Sequence, residues 1–479
     1  MKILKNYILN SSYQILLIIL PLISAPYISR TLGTDGVGIN TFTTSVVSYF
    51  VIFATLGTAT YGNREIAYRQ ENKKERSQIF WEITFLSWIT SLITILFFII
   101  FIFFTNDNRM IYLLQGIAIL TTMFDISWYF IGMEKFKIII ARNFIIKFIT
   151  LISLFVFIHN PKDLSLYIII MMSGSFLGSL SLWPYLRYEV YKPKLRKIRL
   201  KKHFLYALAL FLPTICWSLY VSGTKILVGR FDSVTHSGFY AQSDNLIRLT
   251  LSIVTSLGTV MLPRISNMKA NQDIQGVKDN LVRNFNLIFG LSSALSFGMM
   301  GLSLNFAPFF FGKDFMLVGP ILMVQSPIIF CLAATSIFGT HYFVPMNKMK
   351  YYNISIICGT IINIVLNLIF IPFFGVIAAS IIAVITEFIY ALMQYKYMQK
   401  DFQIDNFFKD LWKYIVAGLI MFVIVFYLNQ NLSMSLLTLS FQVIVGGLIY
   451  ILFNVILNTK LWEILQQLIY RIWEYKKNR

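Results

Sequence analysis

Long apolar runs, each closed by charge or by a Gly, Pro or Asn cluster, succeed one another along the chain as far as residue 457. A helix that crosses a bilayer needs about 20 mostly apolar residues. On that measure the runs predict spans near 8–29, 37–61, 79–104, 110–133, 138–158, 164–186 and 204–229. Seven more follow near 238–262, 284–307, 318–344, 352–371, 375–396, 411–428 and 433–457. The expected fold is therefore an all-α polytopic membrane protein of about 14 helices, with very short connections at 133/138 and 371/375. Lys2 and Lys5 resemble the start of a signal peptide, but the run behind them is long, ends in Arg30 and is followed by many others, so it reads as an uncleaved first span.

Composition sharpens this picture. Of the 479 residues 57% are hydrophobic and 13% charged, which excludes a soluble protein and leaves no room for a separate folded catalytic domain. The formal charge of +20 would suggest nucleic acid in a soluble chain; here its placement decides the reading. Fourteen spans put both termini on one side, and 33 of the 41 lysines and arginines then fall on that side. Arg30, Arg109, Lys162, Arg230 and Lys313 lie on the other, and Lys147, Lys225 and Arg248 within spans. Because short cytoplasmic loops collect basic residues, both termini and the Arg187–Lys202 loop are expected in the cytoplasm, and no nucleic-acid partner is implied.

That basic loop also divides the chain into two parts that resemble each other. A glycine-containing turn (Gly36-Val37-Gly38; Ser237-Gly238-Phe239) opens a helix, Leu56-Gly57-Thr58 or Leu257-Gly258-Thr259 follows, and then comes Arg64 or Arg264. Pro21 and Pro213 in the preceding spans permit bends. Repeated bundles with a path between them are a common transporter design. The expected domains are an N-lobe at 1–195 (spans 1–6), a C-lobe at 196–400 (spans 7–12), spans 13 and 14 at 401–457, and a tail at 458–479. The tail puts Leu461, Ile464, Leu465, Leu468, Ile472 and Trp473 on one face, the pattern of a cytoplasmic interfacial helix anchored by Trp462 and Trp473.

Candidate chemistry is sparse. The sequence has no Walker A pattern, no HExxH and no His/Cys cluster; Cys216, Cys331 and Cys358 show no ligand spacing, and His159, His203, His236 and His341 are scattered. Neither a cofactor nor a metal is implied, and the chain reads as a transporter rather than an enzyme. Charges within apolar helices stand out instead, because a central charge costs about 2.5–3.5 kcal/mol against lipid. Arg30, Lys225 and Arg248 are the candidates for a cationic lining between the two bundles, suited to a phosphate or pyrophosphate group. Asp125, Lys147, Asp244 and Glu387 are candidates for ion coupling or for helix pairing.

Several stretches resemble the polysaccharide repeat-unit flippases of the multidrug/oligosaccharidyl-lipid/polysaccharide exporter superfamily. Ser29-Arg30-Thr31-Leu32-Gly33-Thr34-Asp35-Gly36-Val37-Gly38 is similar to the family's S/T-R-x-L-G-x-x-x-x-G turn, and Trp128 to Phe136 to its W-x-F-x-G-x-E-x-F segment. Gly238-Phe239-Tyr240, Leu257 to Arg264, and Asn363-Ile364-Val365-Leu366-Asn367 with Ile371-Pro372 and Gly375 resemble three more. The resemblance implies two six-helix lobes that alternately expose a cationic cavity and carry a polyprenyl-diphosphate-linked oligosaccharide from the inner to the outer leaflet of a bacterial cytoplasmic membrane. It also implies a polysaccharide polymerase and glycosyltransferases as partners. This chain has Thr224 where relatives often have aspartate and Asn245 where they often have lysine, so no ion-coupling residue carries over. A multidrug-type exporter and a membrane polymerase are the competing readings. The former typically has twelve spans and acidic cavities; the latter needs a long outer loop. If the bundles rock, the outer ends of spans 1 and 7 should meet near Arg30 and Arg230, for example at Ile28 and Val228.

Overall fold

A computed structural model describes residues 2–193, 198–258, 261–400 and 407–477, and every regular element among them is helical. Lys197, Thr259 and Val260 lie outside the described residues, as do the side chains of Pro213, Leu257, Leu468, Ile472 and Trp473. The chain forms two compact units that divide at Gly238. The first holds α1 (Lys2–Thr55), α2 (Thr58–Ala67), α3 (Lys73–Phe104), α4 (Arg109–Gln115), α5 (Ile117–Phe124), α6 (Ser127–Gly132), α7 (Phe136–Phe157), α8 (Leu164–Leu180), α9 (Trp183–Leu186) and α10 (Leu200–Phe231). It also holds the first turn of α11 (Val234–Gly258). The second unit continues α11 and adds α12 (Met261–Ala270), α13 (Ile274–Phe311), α14 (Val318–Gln325), α15 (Ile328–Ser336), α16 (Met349–Gln399), α17 (Leu411–Asn431), α18 (Leu436–Ile456) and α19 (Lys460–Lys477).

Nine helices among the described residues are long and apolar enough to cross a membrane, eleven when two bent pairs each count as one. Two of the nine, Ile19–Ala67 and Met349–Gln399, are 49 and 51 residues long, more than twice what a bilayer needs. Each is broken by a glycine with backbone angles no other residue adopts readily: Gly33 at φ 70°, ψ −178° and Gly375 at φ 60°, ψ −147°. Around Gly375 the contacts show a hairpin. Asn363 donates to Thr386 (3.3 Å), Gln394 to Ser355 (3.4 Å), and Gly359 faces Tyr390, pairs that straddle the glycine at near-equal distances.

The turn glycines of the repeat have a different use from the one expected. The chain reverses earlier, at Gly33 and at Asp232–Ser233, so Gly36 to Gly38 and Gly238 already lie inside helices. There they allow two backbones to touch: a β-carbon on Gly38 would sit 2.6 Å from the Val234 carbonyl oxygen, and one on Gly238 would sit 2.9 Å from Gly38. In both parts the long helix is followed by a ten-residue helix, α2 bearing Arg64 and α12 bearing Arg264.

Lipid is as apolar as leucine, so close approach of small residues and interhelical hydrogen bonds hold such bundles together, the latter at about 0.6 kcal/mol each. In the first unit the second half of α1 runs antiparallel to α10, with Gly57 against Ala207, Phe53 against Phe211, Tyr49 at Gly223 and Phe42 at Gly229. The W-x-F-x-G segment supplies α6, whose Trp128 ring lies on Gly62 of α2 while Gly132 lies on the Asn63 carbonyl. In the second unit α17 seats Gly418 on Phe297 of α13, Ser293 donates to the Tyr414 carbonyl (2.9 Å), and Tyr450 donates to the Gly290 carbonyl (2.7 Å). The first turns of α19 dock on this unit, with Leu461 against Gly290 and its amide donating to the Tyr414 hydroxyl (3.2 Å). Leu96, Phe97, Phe103, Leu437 and Leu448 of α3 and α18 face outward, which in a lipid environment is the favourable orientation.

Gly57 combines both constraints, a φ of 73° and a neighbouring carbonyl oxygen only 2.5 Å from any added β-carbon. Gly57→Ala is expected to destabilise the protein by roughly 2–5 kcal/mol, the sum of a left-handed alanine and an overpacked contact. Fluorescence size-exclusion after a heat step would show it as a lower surviving monodisperse fraction than in Gly62→Ala, whose contact is a side chain.

Candidate functional site

Arg30 is exposed near the end of the first half of α1, one turn before Gly33. Its neighbours Ile28 and Leu32 project from the opposite side of the helix into a cluster with Leu154 and Ile158. Tyr27 fixes this end by donating to the Ile158 carbonyl (2.5 Å) while its ring packs on Phe155 at 4.5 Å. Ile28, buried in that cluster, and Val228, buried on α10, are thus seats of local packing.

Lys225 lies half-buried on α10 beside the fully buried Thr224, whose hydroxyl donates to the Tyr220 carbonyl (3.0 Å). One turn earlier Ser222 accepts from Ser48 of α1 (3.1 Å). The Lys225 carbonyl accepts from the buried Ser237 hydroxyl (2.8 Å), so the turn that begins α11 is tied to the lysine's own backbone. Close by, the Thr235 hydroxyl donates to Asp35 (2.9 Å), beside the Gly38–Gly238 contact. The glycine turns that correspond in the two parts of the sequence therefore touch one another inside the first unit.

Asp244 and Arg248 belong to the second unit and form a pair. Arg248 Nε stands 3.0 Å from one carboxylate oxygen of Asp244 and 3.1 Å from the other. Four residues apart on one helix, they share a face. Asp244 is buried and the Arg248 side chain keeps 30% of its surface. The guanidinium is thereby oriented, its charge is offset, and an anion approaching it competes with a carboxylate already present.

The remaining intramembrane charges have different settings. Asp125 stands at the break between α5 and α6, where its carboxylate accepts from the Ser127 amide (2.9 Å) and hydroxyl (3.0 Å), an arrangement that opens α6. Lys147 is exposed midway along α7 among the exposed Phe144, Ile145, Phe148 and Ile149. Glu387 is buried on the second half of α16, next to the chain Asn367–Asn363 (2.9 Å) and Asn363–Thr386. Among the described residues no group of three or more His, Cys, Asp or Glu side chains is placed to hold a metal ion. The three cysteines are free thiols, two of them buried.

Comparison with known proteins places these features in context. The family model described as "Polysaccharide biosynthesis protein" matches residues 3–269. Two curated relatives carry the words O-antigen transporter in their names. The one from Escherichia coli (strain K12) is 22% identical over 381 residues, 77% of this chain and 90% of the relative. The one from Shigella dysenteriae is 20% identical over 384 residues, 78% of this chain and 95% of the relative. Among solved structures, the lipid II flippase MurJ in an inward closed conformation matches with a TM-score of 0.75 at 17% identity, covering 95% of this chain and 98% of that one. An inward-facing multidrug resistance MATE family transporter matches with a TM-score of 0.63 at 12% identity, covering 80% and 93%. At these identities the structural matches speak to the fold alone, the multi-pass helical fold seen in MurJ and MATE.

Proposed function

The chain belongs to the polysaccharide biosynthesis protein family, and from that premise we propose that it is a flippase. In this reading it moves polyprenyl-diphosphate-linked oligosaccharide repeat units from the inner to the outer leaflet of a bacterial cytoplasmic membrane by alternating access. The observation that carries the reading is the family match over more than half the chain, together with relatives named for O-antigen transport that align with most of it. Arg30, Lys225 and Arg248 are the residues proposed to meet the diphosphate, a group for which guanidinium forks and ammonium charges are the usual partners. Lys225 and Arg30 give charge, and Arg248 gives an oriented guanidinium whose Asp244 partner yields to the arriving anion. Asp125, Lys147 and Glu387 are left outside that set, Asp125 because its carboxylate already serves a helix start. No catalytic step is required of the protein, and its partners are the enzymes that build the lipid-linked unit on one side and polymerise it on the other.

Fourteen spans with both termini cytoplasmic complete the proposal, supported by the sorting of basic residues. An impermeant thiol reagent applied to intact cells is expected to leave a cysteine at Lys197 unlabelled until the membrane is opened. Deleting the gene should remove the surface polysaccharide and trap its lipid-linked repeat unit in the inner leaflet, with both restored by the wild-type gene. Loss of glycan with the lipid-linked unit accumulating in the outer leaflet, or never completed, would point to a polymerising or glycosyl-transferring enzyme and sink the flippase reading.

Alternating access also gives the Gly38–Gly238 contact a purpose as the place where one side of the path closes. Gly38→Val puts a side chain where only 2.6 Å separates the β-carbon from a backbone carbonyl. It is expected to reduce export strongly per molecule of protein in the membrane, whereas Gly298→Ala, whose nearest neighbour is a methionine methyl at 3.7 Å, should export normally.

A further inference from the structure

One cluster of titratable groups lies outside everything described so far. Three helices of the first unit meet at Tyr61 (α2), Glu82 (α3) and His203 (α10), each at most 4% exposed. His203 Nε2 is 2.7 Å from a Glu82 carboxylate oxygen, and its Nδ1 is 2.9 Å from the Tyr61 hydroxyl. The other Glu82 oxygen accepts from the Arg199 amide (3.0 Å), just ahead of α10, and from Gln78 (3.1 Å). Three donors on one carboxylate suit its ionised form, and a carboxylate at the amino-terminal end of α10 is favoured by the helix dipole.

The hydrogen-bond chain has one consistent direction when the imidazole is neutral. Tyr61 O–H donates to Nδ1, and Nε2–H donates to Glu82. Adding one proton makes Nδ1 a donor as well. The Tyr61–His203 bond must then reverse, with the phenol oxygen accepting and its own hydrogen turning elsewhere. The His203–Glu82 bond meanwhile becomes an ion pair, and the net charge of the buried trio goes from −1 to 0. Proton uptake thus tightens α10 against α3 through the ion pair and turns the hydrogen bond to α2 around. Other groups face the trio: Arg64 lies 5.5 Å over the Tyr61 ring, Tyr206 of α10 stacks on it at 6.0 Å, and Glu65 and Arg69 act on the phenol through charge. The site is closed to solutes, so a proton is the ligand small enough to reach it.

We propose that Tyr61, His203 and Glu82 form a proton-binding site that controls how the start of α10 is held. Because α10 also bears Lys225, protonation here adjusts the helix that presents that cation; this consequence rests on the flippase reading, while proton binding itself does not. Neither Tyr61, His203 nor Glu82 touches the proposed diphosphate site, so they are positioning residues.

The test uses the full-length protein in lipid nanodiscs, with ring-labelled histidine followed by NMR from about pH 5 to 8, the range in which imidazoles titrate. Two spin labels, on Lys74→Cys of α3 and Lys202→Cys of α10 in a cysteine-free background, report the distance between those helices. One histidine signal, absent in H203Q, is expected to report the change of protonation state, and that change should be altered in E82Q. Y61F, which deletes only a hydroxyl, should also alter it and keeps the test open where E82Q fails to fold. The label distance should follow the same titration and stay constant in H203Q. A His203 signal that holds one protonation state throughout, or a label distance that ignores the titration, overturns the proposal. Neither readout involves lipid-linked sugar, so such a result would leave the flippase reading standing.

Discussion

Lys225→Ala is expected to reduce export strongly while the protein still reaches the membrane at wild-type level. Its half-buried position on α10 allows an ammonium group to be presented without being lost to bulk water. A hydrogen bond from a charged donor contributes about 1.5–3 kcal/mol, so losing one should reduce transport roughly 10- to 100-fold. Arg30→Ala should fall in the same range. Arg248→Ala should cost as much, and it also removes an ion-pair partner of the buried Asp244, so its protein level needs separate measurement. Arg248→Lys keeps charge and loses the fork, and intermediate export is expected. Asp244→Asn should be milder than Arg248→Ala, because it removes the competitor for the guanidinium and leaves the cation in place. Surface glycan by antibody or lectin binding, normalised to protein in the membrane, reads all of these. Wild-type glycan in all three alanine variants would eliminate the cationic path.

Crosslinking Asp35→Cys to Thr235→Cys is expected to halt transport completely, with reduction restoring it. The two side chains are joined by a 2.9 Å hydrogen bond beside the Gly38–Gly238 backbone contact. A short bis-thiosulfonate bridge between cysteines at these positions can therefore span the contact. If the path must open at this end in each cycle, locking it stops the cycle in one state. The Ile28/Val228 pair suggested by span ends is a poorer choice, since Ile28 is buried in a cluster with α7. Bridged protein that still exports would contradict a moving contact here even if the family assignment stands.

Much of the architecture was legible because lipid makes simple demands. Apolar run length located the helices, and the arginine-bearing segments after Gly57 and Gly258 both emerged as ten-residue helices. The W-x-F-x-G segment also has a plain physical basis, since Trp128 and Gly132 seat α6 on α2. The glycine turns were misread by a few residues for a reason that sequence does not expose: a glycine that permits a reversal and one that permits a close approach look alike. Gly33 does the first and Gly38 the second. The Asp244–Arg248 pair was within reach, since an acid four residues before a base on a helix is a standard pairing. Tyr61, Glu82 and His203 were not, because separations of 121 and 142 residues carry no periodic signal and a lone histidine reads as an ordinary one.

Transport itself can be measured with purified protein in liposomes whose two leaflets carry a fluorescent polyprenyl-diphosphate oligosaccharide, using an impermeant reagent that destroys only the outward-facing label. The flippase account predicts that with the wild-type protein nearly all the label becomes accessible. With Lys225→Ala the inner half should be lost roughly 10- to 100-fold more slowly, and with the bridged Asp35→Cys/Thr235→Cys protein only the outer half should be lost until reductant is added. Label in wild-type liposomes that stays half-protected, as in protein-free ones, would contradict the account.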